Sequence, residues 1–300
     1  METLRDLEEY LVYMQQIGYS GLAVDHNPFT PAPPKAVQVS RTAVQPAPAR
    51  HAPAQPAPPR SAPVPNKPVP MREPRTSKPA PSRAIPNLHS IMDMVSAPAE
   101  DTAAKVKAVT GQTPVDVLRG LYRAFEACQA CALGTTRNSF VFGEGPPDAA
   151  LMFVGESPGV EDDQSGRTFS QTGEAGKLLT RIIEGMGFQR EQVFVTTTVK
   201  CHPPEQRTPL PDELASCAPV LVRQIETVNP RVIVALGPGP LRFFLGPDTS
   251  FARSRGRFFQ WRGIQVMPTY DPAYIIRNPV SKRDTWEDLK QVLSLLRHER

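Results

Sequence analysis

The chain has 300 residues, a formal net charge of +4 and 35 prolines. Between Pro28 and Pro86 lie 18 of those prolines, and there Lys35, Arg41, Arg50, Arg60, Lys67, Arg72, Arg75, Lys78 and Arg83 face only Glu73, so the stretch carries +8 and leaves −4 for the rest. The basic balance therefore belongs to a proline-rich tether, and one globular domain is the expected count. No run of about 18 apolar residues exists, which argues against a membrane span, and METLRDLEEY lacks the basic-then-apolar pattern of a signal peptide, so a cytoplasmic protein is expected.

In chain order, Leu4, Leu7, Leu11, Met14 and Ile17 recur three or four residues apart, which draws one apolar stripe along a helix within residues 1–22, ended by Gly18 and Gly21. Such a helix pairs with itself, with the domain, or with a protein partner. Residues 23–112 read as a disordered Pro/Ala-rich basic linker, a spacer or an aid to non-specific phosphate binding. The domain spans 113–300. Val115, Leu118, Leu121, Tyr122 and Phe125 have helical spacing, and short, uniformly apolar runs predict strands over Ala150–Gly155, Val193–Val199, Arg231–Gly237 and Ile264–Thr269. Helices are expected over Gly176–Met186, Pro211–Val228 and Asp284–Leu296. The alternation predicts a three-layer α/β/α domain around a central, mostly parallel four-stranded sheet.

Three groups of residues carry chemistry. Cys128 and Cys131 form a C-x-x-C at a helix end, and Cys201 and Cys217 supply two further thiols. Four sulfur ligands suit zinc and a 4Fe-4S cluster equally by spacing, and a redox pair is the remaining alternative for Cys128 and Cys131. The second group, Gly155-Glu156-Ser157-Pro158-Gly159 with Asp162 and Phe169 after it, follows the first strand, where α/β folds place ligand sites. Its glycines permit close backbone approach, its carboxylates suit work on a water molecule, and its phenylalanine suits stacking on a planar ring. The third, Thr269-Tyr270-Asp271-Pro272-Ala273-Tyr274, closes the last strand.

Taken together, GESPGVEDDQSGRTF, VFVTTTVKCHPPEQRTP, the cysteine fifteen residues on, VIVALG, the Arg255–Arg257 RGR and PTYDPAYIIRNP resemble the iron-sulfur uracil-DNA glycosylases of family 4, over roughly residues 117–297. The resemblance implies a 4Fe-4S cluster held by Cys128, Cys131, Cys201 and Cys217 in a structural role. It also implies a pocket for a flipped base built from Gly155, Ser157, Pro158, Gly159, Phe169 and Thr197, catalysis by Glu156, Asp162 and Asp271, and DNA contacts, to single or double strands, from Arg255, Arg257 and Arg277.

The sequence departs from the family pattern at Thr197, where family members have Asn, and at Asp271, where they have His. Threonine lacks the paired donor and acceptor that read uracil. An ionised Asp271 at about 4 Å from a developing uracil anion costs roughly 4 kcal/mol, about three powers of ten in rate. Burial that keeps Asp271 protonated removes that cost, and so does a base presenting a donor there. His202, in place of the family's Arg, alters a DNA-facing contact. The expected function is excision of uracil or another deaminated base from DNA, and the alternative is a catalytically silent iron-sulfur DNA-binding or scaffold protein.

Overall fold

The structure, a computed structural model, describes residues 97–298. The expected helix over 1–22 and the tether up to residue 96 lie outside the described residues. The chain enters through α1 (Ala97–Ala108), α2 (Pro114–Phe125) and the short α3 (Leu133–Thr136). Then come β1 (Leu151–Gly155), α4 (Val160–Ser165), α5 (Glu174–Gly185), β2 (Phe194–Thr197), α6 (Pro211–Val228), β3 (Val232–Leu236), α7 (Pro238–Leu245) and α8 (Phe251–Ser254). A hairpin of β4 (Phe259–Trp261) and β5 (Ile264–Thr269) leads to α9 (Pro272–Arg277) and α10 (Ser281–His298).

The sheet has five strands in the order β2-β1-β3-β5-β4, not the four expected, and only β4 is antiparallel. The added strand is three residues long and partly exposed, too short to carry a hydrophobic pattern of its own. On one face of the sheet Phe153, Val195, Val234 and Met267 pack with Leu179, Ile182 and Ile183 of α5 and Leu289 and Val292 of α10. On the other, Met152, Val154, Phe194 and Ile233 pack with Leu221 and Ile225 of α6 and Phe244 of α7. Both faces are therefore covered, which is why the strands read as continuous apolar runs.

α1 occupies residues whose composition placed them in the linker, and this corrects that boundary. Ala99, Thr102 and Val106 are buried at helical spacing, and the helix packs on α6. Its contact residues are mostly small, so no apolar stripe announces it in the sequence. α2 opens on a capping box, in which the Thr113 hydroxyl accepts from the Asp116 amide (3.2 Å) and the Asp116 carboxylate accepts from the Thr113 amide (3.1 Å). No described helix is long and apolar enough to cross a membrane.

Ile183 is fully buried at the centre of the α5 seam. Ile183→Ala should lower the free energy of unfolding by about 2–5 kcal/mol, measured by urea denaturation; a loss within error of zero would mean that α5 does not anchor the sheet.

Candidate active site

The register of the parallel strands sets the site. β1 and β2 pair so that Gly155 lies beside Thr197, and β3 and β5 pair so that Leu236 lies beside Thr269. Their carboxyl ends share one edge, and the loops that follow meet there. Because β2 lies to one side of β1 and β3 to the other, strand order reverses at β1, the position at which parallel sheets place ligand sites. Gly239 after β3 sits against the carboxyl end of the Glu156 side chain, which a side chain at 239 would have to displace.

Gly155 itself is crowded: a Cβ there would stand 2.7 Å from the Phe169 ring and 3.3 Å from the Thr197 methyl. Three residues predicted to line one pocket thus touch. Phe169 holds a left-handed backbone (φ 46°), a conformation that costs a bulky residue about 1–3 kcal/mol. The buried Asp162 carboxylate holds that turn. Its Oδ1 accepts from the Ser170 amide (2.6 Å) and its Oδ2 from the Gly159 amide (3.0 Å), so it ties the first loop to Phe169. Asp162 therefore acts on the backbone of the site, where the sequence reading had it in catalysis. Burial raises its pKa against the pull of these amides.

Glu156 and Asp271 are the other two carboxyls predicted for the site, and the charge of Glu156 is felt at Asp271. Burial raises Glu156, while Arg242 opposes the shift. Asp271 caps α9, accepting from the Ala273 amide at 2.8 Å, and burial pushes its pKa up to about 6, with Glu156 adding to the rise. Thr197 is fully buried and its hydroxyl donates to the Val199 carbonyl (2.7 Å). Its proton is spent, so only oxygen lone pairs are left for a ligand.

The expected DNA contacts divide. Arg257 and Arg277 are exposed. Arg255 is turned inward: Nη1 donates to both oxygens of the buried Asp288 (2.8 Å each), and the guanidinium lies 5.1 Å from the centre of the Tyr270 ring. Asp288 also accepts from the Thr269 hydroxyl (2.7 Å), so Arg255 braces the third motif. Tyr270 in turn stacks on the exposed Tyr274 at 5.1 Å and 7°. His202 bonds through Nδ1 to the Pro158 carbonyl (2.8 Å) and so ties the residue after Cys201 to the first loop.

All four cysteines line one small cavity with Phe125, Phe140 and Val220. Gly134 lets α3 close over the Cys128 carbonyl, where a Cβ would meet the oxygen at 2.6 Å. The Arg137 guanidinium donates to Cys201 Sγ (3.0 Å) and to the Glu126 carbonyl (2.7 Å). Burial raises the Cys131 and Cys201 thiols and pushes Cys217 up to about 12. Such a site holds thiolates only when a bound cation supplies the opposing charge, so the donor set fits a metal group. Among the described residues no three His, Cys, Asp or Glu side chains are arranged around a single ion.

Sequence reasoning missed the ties between these regions. Asp163, buried beside Asp162, accepts from the Asn138 and Ser139 amides (3.0 and 3.1 Å) and so joins the chain after the cysteine pair to α4. Lys200, fully buried, donates to Thr196 and to the Thr197 carbonyl (2.6 and 2.7 Å). An acid doublet and a lysine next to a cysteine were visible, but their partners were not.

Asp271→Asn keeps the cap on α9 and removes the titration. The raised pKa means that wild-type stability is fully present below pH 4 and is lost as pH rises through about 6. At pH 8 the variant should be the more stable by up to about 3 kcal/mol, with no difference below pH 4; urea midpoints at both pH values that differ equally would refute the burial of this carboxyl.

The comparisons agree with this geometry. The family model described as the uracil DNA glycosylase superfamily matches residues 142–290. A type-4 uracil-DNA glycosylase of Thermotoga maritima is 43% identical over 176 residues, 57% of this chain and 91% of the relative. The type-4 enzymes of Sulfurisphaera tokodaii (40% over 190 residues, 60% and 86% of the two chains) and Archaeoglobus fulgidus (34% over 186 residues, 59% and 92%) are similar to it as well. With nearly the whole length of such relatives matched at 34–43% identity, the chain belongs to the uracil-DNA glycosylase superfamily, on its type-4 branch.

Proposed function

We propose that the chain is a DNA glycosylase that hydrolyses the N-glycosidic bond of uracil or another deaminated base. The observation that carries this reading is the convergence of Gly155, Phe169 and Thr197 beneath the Glu156–Asp271 pair at one sheet edge. A base inside a duplex must be unstacked before its bond to C1′ can be reached. In this reading the flipped ring enters against Phe169, the glycines of the 155–159 loop allow the sugar close approach, and the Tyr270–Tyr274 stack with Arg257 and Arg277 meets the strand outside.

The bond between C1′ and the base nitrogen breaks with its electron pair leaving on the base. Protonated Asp271 gives its proton to that base. Water adds at C1′ and loses a proton to Glu156, whose raised pKa makes it the better base. With Asp271 at about 6, about one copy in ten holds that proton at pH 7, which is the physical cost of carrying Asp at this position. Thr197 offers one acceptor, suited to a ring N–H, and no donor for a carbonyl, so it reads the ring edge less fully than an asparagine.

The cysteine set is assigned to a 4Fe-4S cluster held by Cys128, Cys131, Cys201 and Cys217. A cluster places each thiolate on its own iron and so accepts ligands too far apart to share one zinc ion. When bound, it supplies iron–thiolate cross-links between the α2–α3 turn and the β2–α6 segment. A reducing cytoplasm keeps the four thiols free for it.

Anaerobically purified protein incubated with oligonucleotides carrying uracil, hypoxanthine, xanthine or a mismatch should leave abasic sites with at least one of them. Tight DNA binding with no abasic product from any base would leave only the silent binding protein. Thr197→Asn combined with Asp271→His should raise uracil release at least tenfold, since the ionised form alone costs about three powers of ten; no gain would show that these positions do not set the chemistry. The protein should also contain iron and acid-labile sulfide in equal amounts and lose both in Cys217→Ala, whereas zinc in their place would overturn the cluster.

A further inference from the structure

A second concavity, of about 460 Å³, lies between α1, α6, the end of α7 and the β4 edge, and no active-site residue lines it. Its floor is apolar and mostly small: Ala99 and Ala103 on α1, Ala218 and Val222 on α6, with Phe243 and Trp261 at one end. Small side chains on two neighbouring helices leave a trough in which a third helix can lie closely. Glu226 is paired with Arg262 (2.7 Å), while among the described residues Lys107 and Arg223 have no ion pair, so three cations line the groove against two acids, Glu100 and Glu226. The rim is therefore left with positive charge.

We propose that this groove is the docking site of the chain's own N-terminal segment, residues 4–17, bound within the same molecule. Leu4, Leu7, Leu11, Met14 and Ile17 form the apolar stripe that helix-in-groove recognition uses. Glu2, Asp6, Glu8 and Glu9 against Arg5 make the segment acidic, opposite in sign to Lys107 and Arg223. A helix of that length spans about 21 Å, close to the roughly 18 Å of α1.

The connection favours the same molecule. The chain leading from the segment enters the domain at Ala97, the start of α1, which is itself one wall of the groove. Some 75 residues join the segment to Ala97, enough chain to reach any point of the groove, and this covalent connection gives the segment an effective concentration in the millimolar range. Foreign or second-copy helices must compete with that. The consequence reaches the cysteine site, because Thr102 of α1 and Ser216, Cys217 and Val220 of α6 line its cavity. A docked segment would brace the helix pair that carries one of the four thiols, leaving the basic tether free for phosphates. None of this depends on glycosylase activity.

The test uses the full chain and a variant with Leu7→Glu and Leu11→Glu. With an intrinsic affinity near 100 μM and a millimolar effective concentration, docked molecules outnumber undocked by about ten to one. Amides of α1 in wild type should therefore exchange about tenfold more slowly than in the variant. Zero-length carboxyl–amine cross-links should join Lys107 to the acids of residues 1–22 in a monomer, and Ala103→Glu should abolish both signals. Equal exchange with no cross-link would overturn the proposal. So would cross-links found only between two copies in a dimer, or protection that appears only when another protein is added.

Discussion

The ring of Phe169 occupies the space that a side chain at residue 155 would need, and the site depends on this crowding. A glycine at the end of β1 lets the first loop, the Phe169 turn and the end of β2 close onto one another, with Thr197 as the third party to the contact. The left-handed backbone at Phe169 is unfavourable by itself, and it persists because a buried carboxylate accepts from the amides on either side of the closure. Asp162 is thereby committed to geometry. The carboxyls proposed to react are those of Glu156 and Asp271, where burial raises both pKa values and the charge of Glu156 adds to the cost of ionising Asp271. One fold edge thus holds a fixed carboxylate and an adjustable pair.

The cysteine region and the base pocket form one continuous construction. Asp163 grips the chain just after the cysteine pair from beside Asp162. His202, next to Cys201, holds the carbonyl of Pro158 in the first loop. Lys200 fastens the end of β2 from within the core. A metal group cross-linking the cysteines would therefore stiffen the frame that carries the first loop and the end of β2. This is the physical sense in which a metal group can be structural here: it removes freedom from loops too short and too polar to hold each other by packing. It also explains how the pocket residues can depart from the family pattern while the four ligands stay, because the two sets answer to different constraints.

By itself the sequence determined the parallel α/β class, since strands buried on both faces have to be uniformly apolar and helices such as α5 have to be striped. It also determined which blocks approach the ligand, because loops after parallel strands fall on one edge. The three motifs and the cysteines were legible for that reason, and so were Thr197 and Asp271 as the two departures. The Ala-rich α1 and the three-residue β4 were not, because neither has enough large apolar residues to show a period; their existence is decided by α6 and β5, against which they pack.

Only the tertiary structure decided what individual polar side chains do. Arg255 is a strut to Asp288, Asp162 a clamp, and the Thr197 hydroxyl a donor to its own chain. The Asp162–Ser170 and Arg255–Asp288 bonds join residues 8 and 33 apart, and a local pattern holds no record of them. The same is true of the Asp271 pKa: its identity was plain from the sequence, but the value near 6 comes from burial and from the nearby charge of Glu156, which exist only once β1, β3 and β5 are side by side.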